Sequence, residues 1–345
     1  VTARKLQQEA LIKSANFDVL TGLPNRVLLH DRIEQAIANA RRHNGSFGLL
    51  YLDLDNFKII NDTLGHESGD LLLCEAASRL QTCVRDGDTV ARVGGDEFVL
   101  LLSEMHARND IDLVAQRALA TLGKTFILGG SEGFVGVSIG ASVFPEDAHS
   151  RVDLMQHADI AMYRAKEMGR NNYQRYAEQM QSRFKWRMSM EVQLRAAIEN
   201  SELVMHYQPQ IDLASGRVVG AEALIRWESP TLGRISPAQF IPLAEETGLI
   251  VPIGAWVIQR SCSDAAQWLQ TPYGKGCAVA INLSPRQFSE PGLLSTIQNA
   301  IADTELGAQH FEFEVTESLV MQDPDKAAEL LKQIRALGCT VALDD

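Results

Sequence analysis

The sequence is poor in features that would tie it to a membrane, a nucleic acid or a disulfide framework. Its longest apolar stretch runs over 248–258, and Pro252 and Gly254 interrupt it. A spanning helix needs about 18 or more apolar residues, so no segment reads as one, and nothing at the start reads as a leader peptide. Cysteine is scarce. Cys74, Cys83, Cys262, Cys277 and Cys339 are odd in number and scattered, with no pair at metal-site or redox spacing. Free, buried thiols in a cytoplasmic protein are the expectation. Positive charge is also short: Lys and Arg total 32 against 44 Asp and Glu, a net charge of −12. Proteins that hold nucleic acid by neutralising phosphates are usually basic, so no nucleic-acid partner is expected. A small phosphorylated ligand stays open, because a metal ion can neutralise it locally.

What is present is ordinary for a globular protein, with 46% hydrophobic and 22% charged residues over 345 positions. At about 100–200 residues per domain, that length predicts two domains. The first residues, 1–15, read as a polar linker or signalling helix with a narrow stripe of Leu6, Ile12 and Ala15, continuing a helix from upstream. A first domain is expected over 16–176. Pro24-Asn25-Arg26 precedes a helix reaching Ala40, 47–52 is a buried strand, and 70–84 has helical spacing. Two short strands over 90–102 flank Gly94-Gly95, a hairpin signal. A strand over 135–144 and a helix over 153–168 follow. Hairpin and crossover helices together predict an α+β sheet rather than a fully parallel one.

A long polar helical stretch over 175–200 opens the second domain, 177–345. Beyond it, strand and helix alternate. Strands are expected over 203–210, 218–227, 278–283, 311–315 and 340–343. Each of the last four ends in or beside an acid or amide: Glu222, Asn282, Glu314 and Asp344. Polar residues at the carboxyl ends of successive parallel strands are where a (β/α)8 barrel keeps its chemistry. Such a barrel takes about 250 residues, more than remain, so an α/β barrel cut short on its C-terminal side is expected.

In the first domain, Asp53 and Asp55 follow the run Leu49-Leu50-Tyr51-Leu52, and alternation along a strand points both to one side. Asp96-Glu97 follows the Gly94-Gly95 turn. Each pair alone reads equally as solvated acids on a surface hairpin. Brought together, such acids repel one another unless a cation is present, and hard oxygen ligands suit Mg2+, which bridges nucleotide phosphates. The two glycines leave room for a phosphate to approach the backbone.

The ordered set of strings is far more specific than any pair. RVGGDEF over 92–98 resembles the signature of GGDEF-domain diguanylate cyclases. So do DVLTGLPNR over 18–26, DLDNFKIIND over 53–62, Gly65-His66, Gly69-Asp70 and ADIAMYRAKEMGRN over 158–171. The resemblance implies a palm-like domain with a mostly antiparallel sheet, in which two GTP become cyclic di-GMP. It implies Asp53, Asp96 and the Leu54 carbonyl as metal ligands, and Glu97 as the acid that helps the 3′-hydroxyl attack or binds a second metal. Asn61 and Asp70 match guanine readers. Lys166 and Arg170 match contacts to the terminal phosphates, and their spacing predicts one shared helix face. Arg85 and Asp88 match an inhibitory site for the product, although a polar turn leading into a strand would read the same way. One departure is visible: the family often has a small or polar pair, then His-Asp, before the Leu-Thr-Gly-Leu-Pro string, and this sequence reads Asn16-Phe17-Asp18-Val19.

In the second domain, EALIRW over 222–227 resembles the signature of EAL-domain phosphodiesterases. Three letters mean little alone, since Glu9-Ala10-Leu11 spells them too. Tyr207-Gln208-Pro209, INLS over 281–284, EVTES over 314–318 and Leu343-Asp344-Asp345 match in order as well. The resemblance implies hydrolysis of cyclic di-GMP to pGpG. It implies Glu222, Asn282, Glu314 and Asp344 as ligands of Mg2+ or Mn2+, Asp345 beside a second ion, and Arg226 on a substrate phosphate. The family's loop after the paired aspartates and its later Lys and Glu do not follow here, so a trimmed piece of a longer protein is expected. The reading is a bifunctional, dimeric turnover protein with GTP and cyclic di-GMP as ligands and a sensory region upstream. The alternatives are a hydrolase activated by GTP bound at the first site, and a receptor without turnover.

Overall fold

The structure, a computed structural model, describes residues 15–105, 107–271, 274 and 276–344. The helix expected over 2–14 and the acid at Asp345 lie outside the described residues. The chain forms two compact units, Val1–Lys185 and Trp186–Asp345.

The first unit contains α1 (Arg26–His43), β1 (Phe47–Leu54), α2 (Phe57–Leu64), α3 (His66–Gln81), β2 (Thr89–Gly94) and β3 (Glu97–Leu102). It continues with α4 (Asp110–Leu122), β4 (Phe126–Leu128), β5 (Ser131–Gly133), β6 (Val137–Phe144), α5 (Arg151–Glu167) and β7 (Tyr173–Arg175). Asn25 starts α1: its Oδ1 accepts from the N–H groups of Val27 and Leu28 at 2.9 and 3.2 Å. Leu29, Ile33, Ile37 and Ala40 then recur at helical spacing and are buried.

The main sheet has the order β2-β3-β1-β6-β7. Its pairs are antiparallel except β6 with β7, as an α+β domain requires. The central strand β1 is buried at every position. Its alternation serves two cores. Leu50, Leu52 and Leu54 pack with side chains of α3 and α4, whereas Phe47, Leu49 and Tyr51 pack with those of α1 and α5. Asp53 therefore ends the row that faces α1 and α5. The sequence reading passed over α2, α4 and the β4–β5 hairpin. The buried stripe of α4, Ile111, Ala115, Ala118 and Leu122, recurs at helical spacing, so its periodicity was there to be read.

The second unit contains part of α6 (Glu178–Ala197), then β8 (Leu203–Ile211), β9 (Val218–Ser229), β10 (Gly233–Ile235), α7 (Pro237–Thr247) and α8 (Ile250–Trp268). After these come β11 (Ala278–Asn282), α9 (Pro285–Phe288), α10 (Leu293–Ala302), β12 (Phe311–Thr316), α11 (Glu317–Gln322), α12 (Pro324–Ala336) and β13 (Thr340–Asp344). β9, β11, β12 and β13 are parallel neighbours with helices between them. β8 and β10 pair antiparallel with β9. The core is rich in aromatics: Trp227, Phe240, Phe311 and Phe313 are fully buried, and Trp227 meets Phe240 edge to face. All five cysteines are free. Burial pushes the Cys262 and Cys339 thiols up to about 12 and about 11, which leaves them protonated and inert.

One contact in the first unit admits no side chain. A Cβ on Gly140 of β6 would stand 1.9 Å from the Met162 nitrogen and 2.1 Å from the Ala158 oxygen of α5. Both are backbone atoms, so a methyl there forces α5 off the sheet. Gly140→Ala is expected to destabilise the unit by about 3 kcal/mol, read as a lowered urea midpoint at unchanged slope; an unshifted midpoint would show that α5 can slide without loss.

Two candidate active sites

The first site is built at the ends of β1, β3 and α5. Asp53 of β1 lies opposite Glu97 of β3 in the antiparallel register, and the Leu54 nitrogen donates to the Asp96 carbonyl at 3.3 Å. These contacts bring together Asp53, Leu54, Asp96 and Glu97. Lys166 of α5 reaches the same place, its Nζ 2.7 Å from Asp53 Oδ1. Burial pushes the Asp53 carboxyl up to about 6; Lys166 opposes this, and the neighbouring charges of Asp96 and Glu97 add to it. The Tyr51 hydroxyl donates to Glu97 Oε2 at 3.0 Å, a contact the sequence reading missed although Tyr51 shares its strand face with Asp53.

The glycine turn is held from behind. Gly95 has φ +47° and nothing within 4 Å of an added Cβ, so the turn is open as expected. Arg92 donates to the Gly95 carbonyl from Nε and Nη2 at 3.0 and 2.7 Å. Its Nη1 pairs with Asp18 at 3.0 Å. Asp18 also accepts from the Thr21 nitrogen and hydroxyl at 2.9 and 2.6 Å. Burial alone would raise the Asp18 carboxyl, but the bonds from Thr21 and Arg92 hold it below its usual value. The string over 18–26 is thus the anchor of the signature hairpin. The unusual Phe17 makes a β-bridge to Pro24, remote from the acids.

Three expectations change here. Asp55 does not join the acid group: its carboxylate accepts from Ser138 Oγ at 2.7 Å and the Asn171 nitrogen at 2.9 Å, so it ties down the loop after α5. Arg170 does not share a helix face with Lys166. α5 ends at Glu167, Gly169 has φ +103°, and Arg170 itself is left-handed at φ +60°. Asp88 is occupied by its own turn, taking the Arg85 nitrogen at 3.1 Å on one oxygen and the Ser103 nitrogen at 3.1 Å on the other. Arg85 is exposed, and with Asp88, Arg32 and Asn39 it lines a groove of about 800 Å3.

α2 and α3 meet closely at the expected base readers. An added Cβ on Gly69 would stand 1.9 Å from Asn61 Oδ1, so the amide lies directly against the residue before Asp70, which is exposed.

The second site lies across β9, β11, β12 and β13. Register pairs Glu222 with Ala280, Asn282 with Glu314, and Thr316 with Asp344. Asn282 Nδ2 donates to Glu222 Oε1 at 2.8 Å. Burial pushes the Glu314 carboxyl up to about 7, with Glu222, Asp344 and Glu312 adding like charge. One expectation fails: Glu222 is not at a strand end. β9 runs on past β11 to pair Trp227 with both Leu203 and Ile235, which leaves Glu222 in mid-strand. Arg226, Glu245, Asn282, Ser284, Gln287 and Thr316 line a cavity of about 320 Å3. Ser284 and Gln287 cap each other's backbone at the start of α9. Their S-x-x-Q spacing is the signal that could have found them.

Among the described residues, no three His, Cys, Asp or Glu side chains form a ready-made metal cluster. The donors still suit a hard divalent cation. Each set mixes carboxylates with an amide or a backbone carbonyl, and in each a carboxyl is raised by its acidic neighbours.

A pH test follows for Glu314. Its carboxyl is raised from 4.5 to about 7, so the folded state binds the proton more tightly. The stability this gives is full below the unfolded value and lost as pH rises through 7. Without metal, Glu314→Gln is expected to stabilise the protein at pH 8 by about 1 kcal/mol, after allowance for solvent screening, and to be neutral near pH 4. Thermal melts in EDTA at both pH values check this; a destabilised variant at pH 8 contradicts it.

Comparison with known proteins agrees with the geometry. Residues 15–172 match the family described as diguanylate cyclase, GGDEF domain, and residues 191–345 match the EAL domain. The bifunctional diguanylate cyclase/cyclic di-GMP phosphodiesterase MucR of Pseudomonas aeruginosa is 43% identical over 97% of this chain and 49% of its own length. The cyclic di-GMP phosphodiesterase PdeR of Escherichia coli is 37% identical over 100% of this chain and 51% of its own. The chain thus spans about half the length of these curated relatives. The S helix-GGDEF-EAL structure of Vibrio cholerae LapD superposes with a TM-score of 0.61 over 99% of this chain and 80% of that one, at 19% identity, and shows the shared fold. With both families matched in order along the sequence, the chain is a tandem GGDEF–EAL protein of the cyclic di-GMP signalling class.

Proposed function

We propose that this protein both makes and breaks cyclic di-GMP, joining two GTP in its GGDEF domain and hydrolysing the product to pGpG in its EAL domain. The observation that carries the reading is the pairing of acid sets with open glycine and cation elements in one unit, and with a strand-end amide and an arginine-lined cavity in the other. Neither signature has lost an acid. MucR, whose name gives both activities, supports the same assignment.

In the first domain, Asp53, Asp96 and the Leu54 carbonyl hold Mg2+ or Mn2+. Asn61 and Asp70 read the guanine edge, where an amide and a carboxylate offer complementary donors and acceptors. Gly94 and Gly95 admit the phosphates. Lys166 and Arg170 take the terminal ones, Lys166 moving from Asp53 to do so. Glu97 takes the proton of a 3′-hydroxyl as its oxygen bonds to the α-phosphorus and pyrophosphate leaves. Two loaded domains must face each other for this, so the working form is a homodimer. Arg85, with Asp88 holding its turn, retains product in the adjoining groove and slows synthesis.

In the second domain, Glu222, Asn282, Glu314, Asp344 and Asp345 hold the ions, and Arg226 holds a phosphate. A divalent ion bound in either site supplies charge neutralisation and, in the second, a water of lowered pKa. The parallel strands belong to a (β/α)8-type barrel. Among the described residues no helix is long and apolar enough to cross a membrane.

Chromatography of the chain incubated with GTP, and separately with cyclic di-GMP, in Mg2+ or Mn2+ tests the reading. Synthesis is expected, and Asp96→Ala should lower it at least about a hundredfold. Glu222→Ala should do the same to pGpG formation. Arg85→Ala should raise the cyclic di-GMP concentration at which synthesis stalls. Synthesis retained in Asp96→Ala refutes the first site. Because the family's later Lys and Glu do not follow in this sequence, the hydrolase half is tested in a full-length chain, where absence of pGpG refutes it.

A further inference from the structure

We infer that Tyr51 is a positioning residue for Glu97, fixing the carboxylate that the proposed cyclase reaction uses. The inference rests on that reading of Glu97 and adds to it a residue that none of the signature strings names. Register places the two residues as diagonal neighbours. Tyr51 lies opposite Val99, and Glu97 lies opposite Asp53, so a long side chain at 51 reaches along the face to 97. The Tyr51 hydroxyl does so, donating to Glu97 Oε2 at 3.0 Å.

The donor is rigid. Tyr51 is 7% exposed and packs in the core with Leu29, Ile33, Leu154 and Ala158, so its ring has one available place. A phenol is a donor at neutral pH. Glu97 has the opposite character. It opens β3 half-buried, and like charges crowd it: Asp53 and Asp159 both feel its field. Left alone, a carboxylate so placed would swing toward solvent. The phenol holds one of its oxygens and leaves the other to receive the hydroxyl proton. Attack geometry is sensitive to displacements of about 1 Å, which is what the hydroxyl prevents. Phe would keep the ring in the core, so what Tyr adds at this strand position is the hydroxyl donor.

Tyr51→Phe in the whole chain keeps the ring and removes the donor. It is expected to lower kcat for cyclic di-GMP synthesis about tenfold, with KM for GTP and the affinity for a fluorescent GTP analogue unchanged. In a Glu97→Asp background, where the shortened carboxylate falls short of the hydroxyl, the same change should alter kcat by less than about twofold. An unchanged kcat overturns the inference, as does an equal loss in both backgrounds or a loss confined to KM. Should Tyr51→Phe melt early, 3-fluorotyrosine at position 51 preserves shape and hydroxyl while strengthening the donor. It should change kcat only when Glu97 is present, and a change in both backgrounds again overturns the inference. A wild-type chain that binds GTP and forms no cyclic di-GMP defeats the cyclase reading, and the role of Tyr51 falls with it.

Discussion

Repulsion between carboxylates gathered on neighbouring strands is the constraint around which both halves of this protein are organised. A strand is where a backbone can hold acids rigidly, and burial there makes each charge costly. The protein answers this differently in its two halves. At Asp53, a lysine from α5 sits 2.7 Å away and supplies the missing positive charge. At Glu314 the neighbours are Glu222, Asp344 and Glu312, and the carboxyl is raised to about 7, so near neutrality a proton serves as the counter-charge.

Much of the remaining architecture serves to hold those strands still. β1 is gripped on both faces and both edges, so Asp53 cannot retreat. α5 lies against β6 with no room for a methyl at Gly140, which fixes the height at which Lys166 emerges. Arg92 fastens the glycine turn to the loop at Asp18. Asp55 and Ser138 tie the chain after β1 to the loop carrying Asn171. These contacts fix the backbone segments that carry the acids and the lysine.

The legible part of this molecule was what repeats or what is ordered along the chain. The stripe of α1, the buried run of β1 and the hairpin at Gly94-Gly95 follow from periodicity and turn chemistry, and the two strings of motifs name the families. Contacts across the chain were not legible. The helix expected over 153–168 already stops before Arg170 at Gly169, so the face shared with Lys166 rests on the four-residue spacing alone. Nothing in DLD distinguishes Asp53, which faces a lysine, from Asp55, which caps a loop. Glu222 groups with Asn282, Glu314 and Asp344 as a strand-end acid because all four fall on successive expected strands. Only the long pairing of β9 with β8 and β10 shows that the strand continues. Tyr51 looks like one more core residue until Glu97 is placed beside it. Sequence patterns report which face a residue is on; register decides whom it meets.

The two ways of balancing charge have unequal consequences for loading. At Asp53 a divalent ion would take the place of a lysine that remains positive and close by. At Glu314, raised to about 7, a cation would have to displace a proton near neutrality; Asp53, raised to about 6, would share that linkage at a lower pH. The linkage has a direction: acid favours the protonated carboxyl and opposes the ion, whereas alkaline conditions strip the proton and leave Glu222, Glu314 and Asp344 repelling one another until an ion arrives. The same crowding that destabilises the EAL acids at high pH would therefore favour a cation among them, whereas Asp53 already has the Lys166 ammonium beside it.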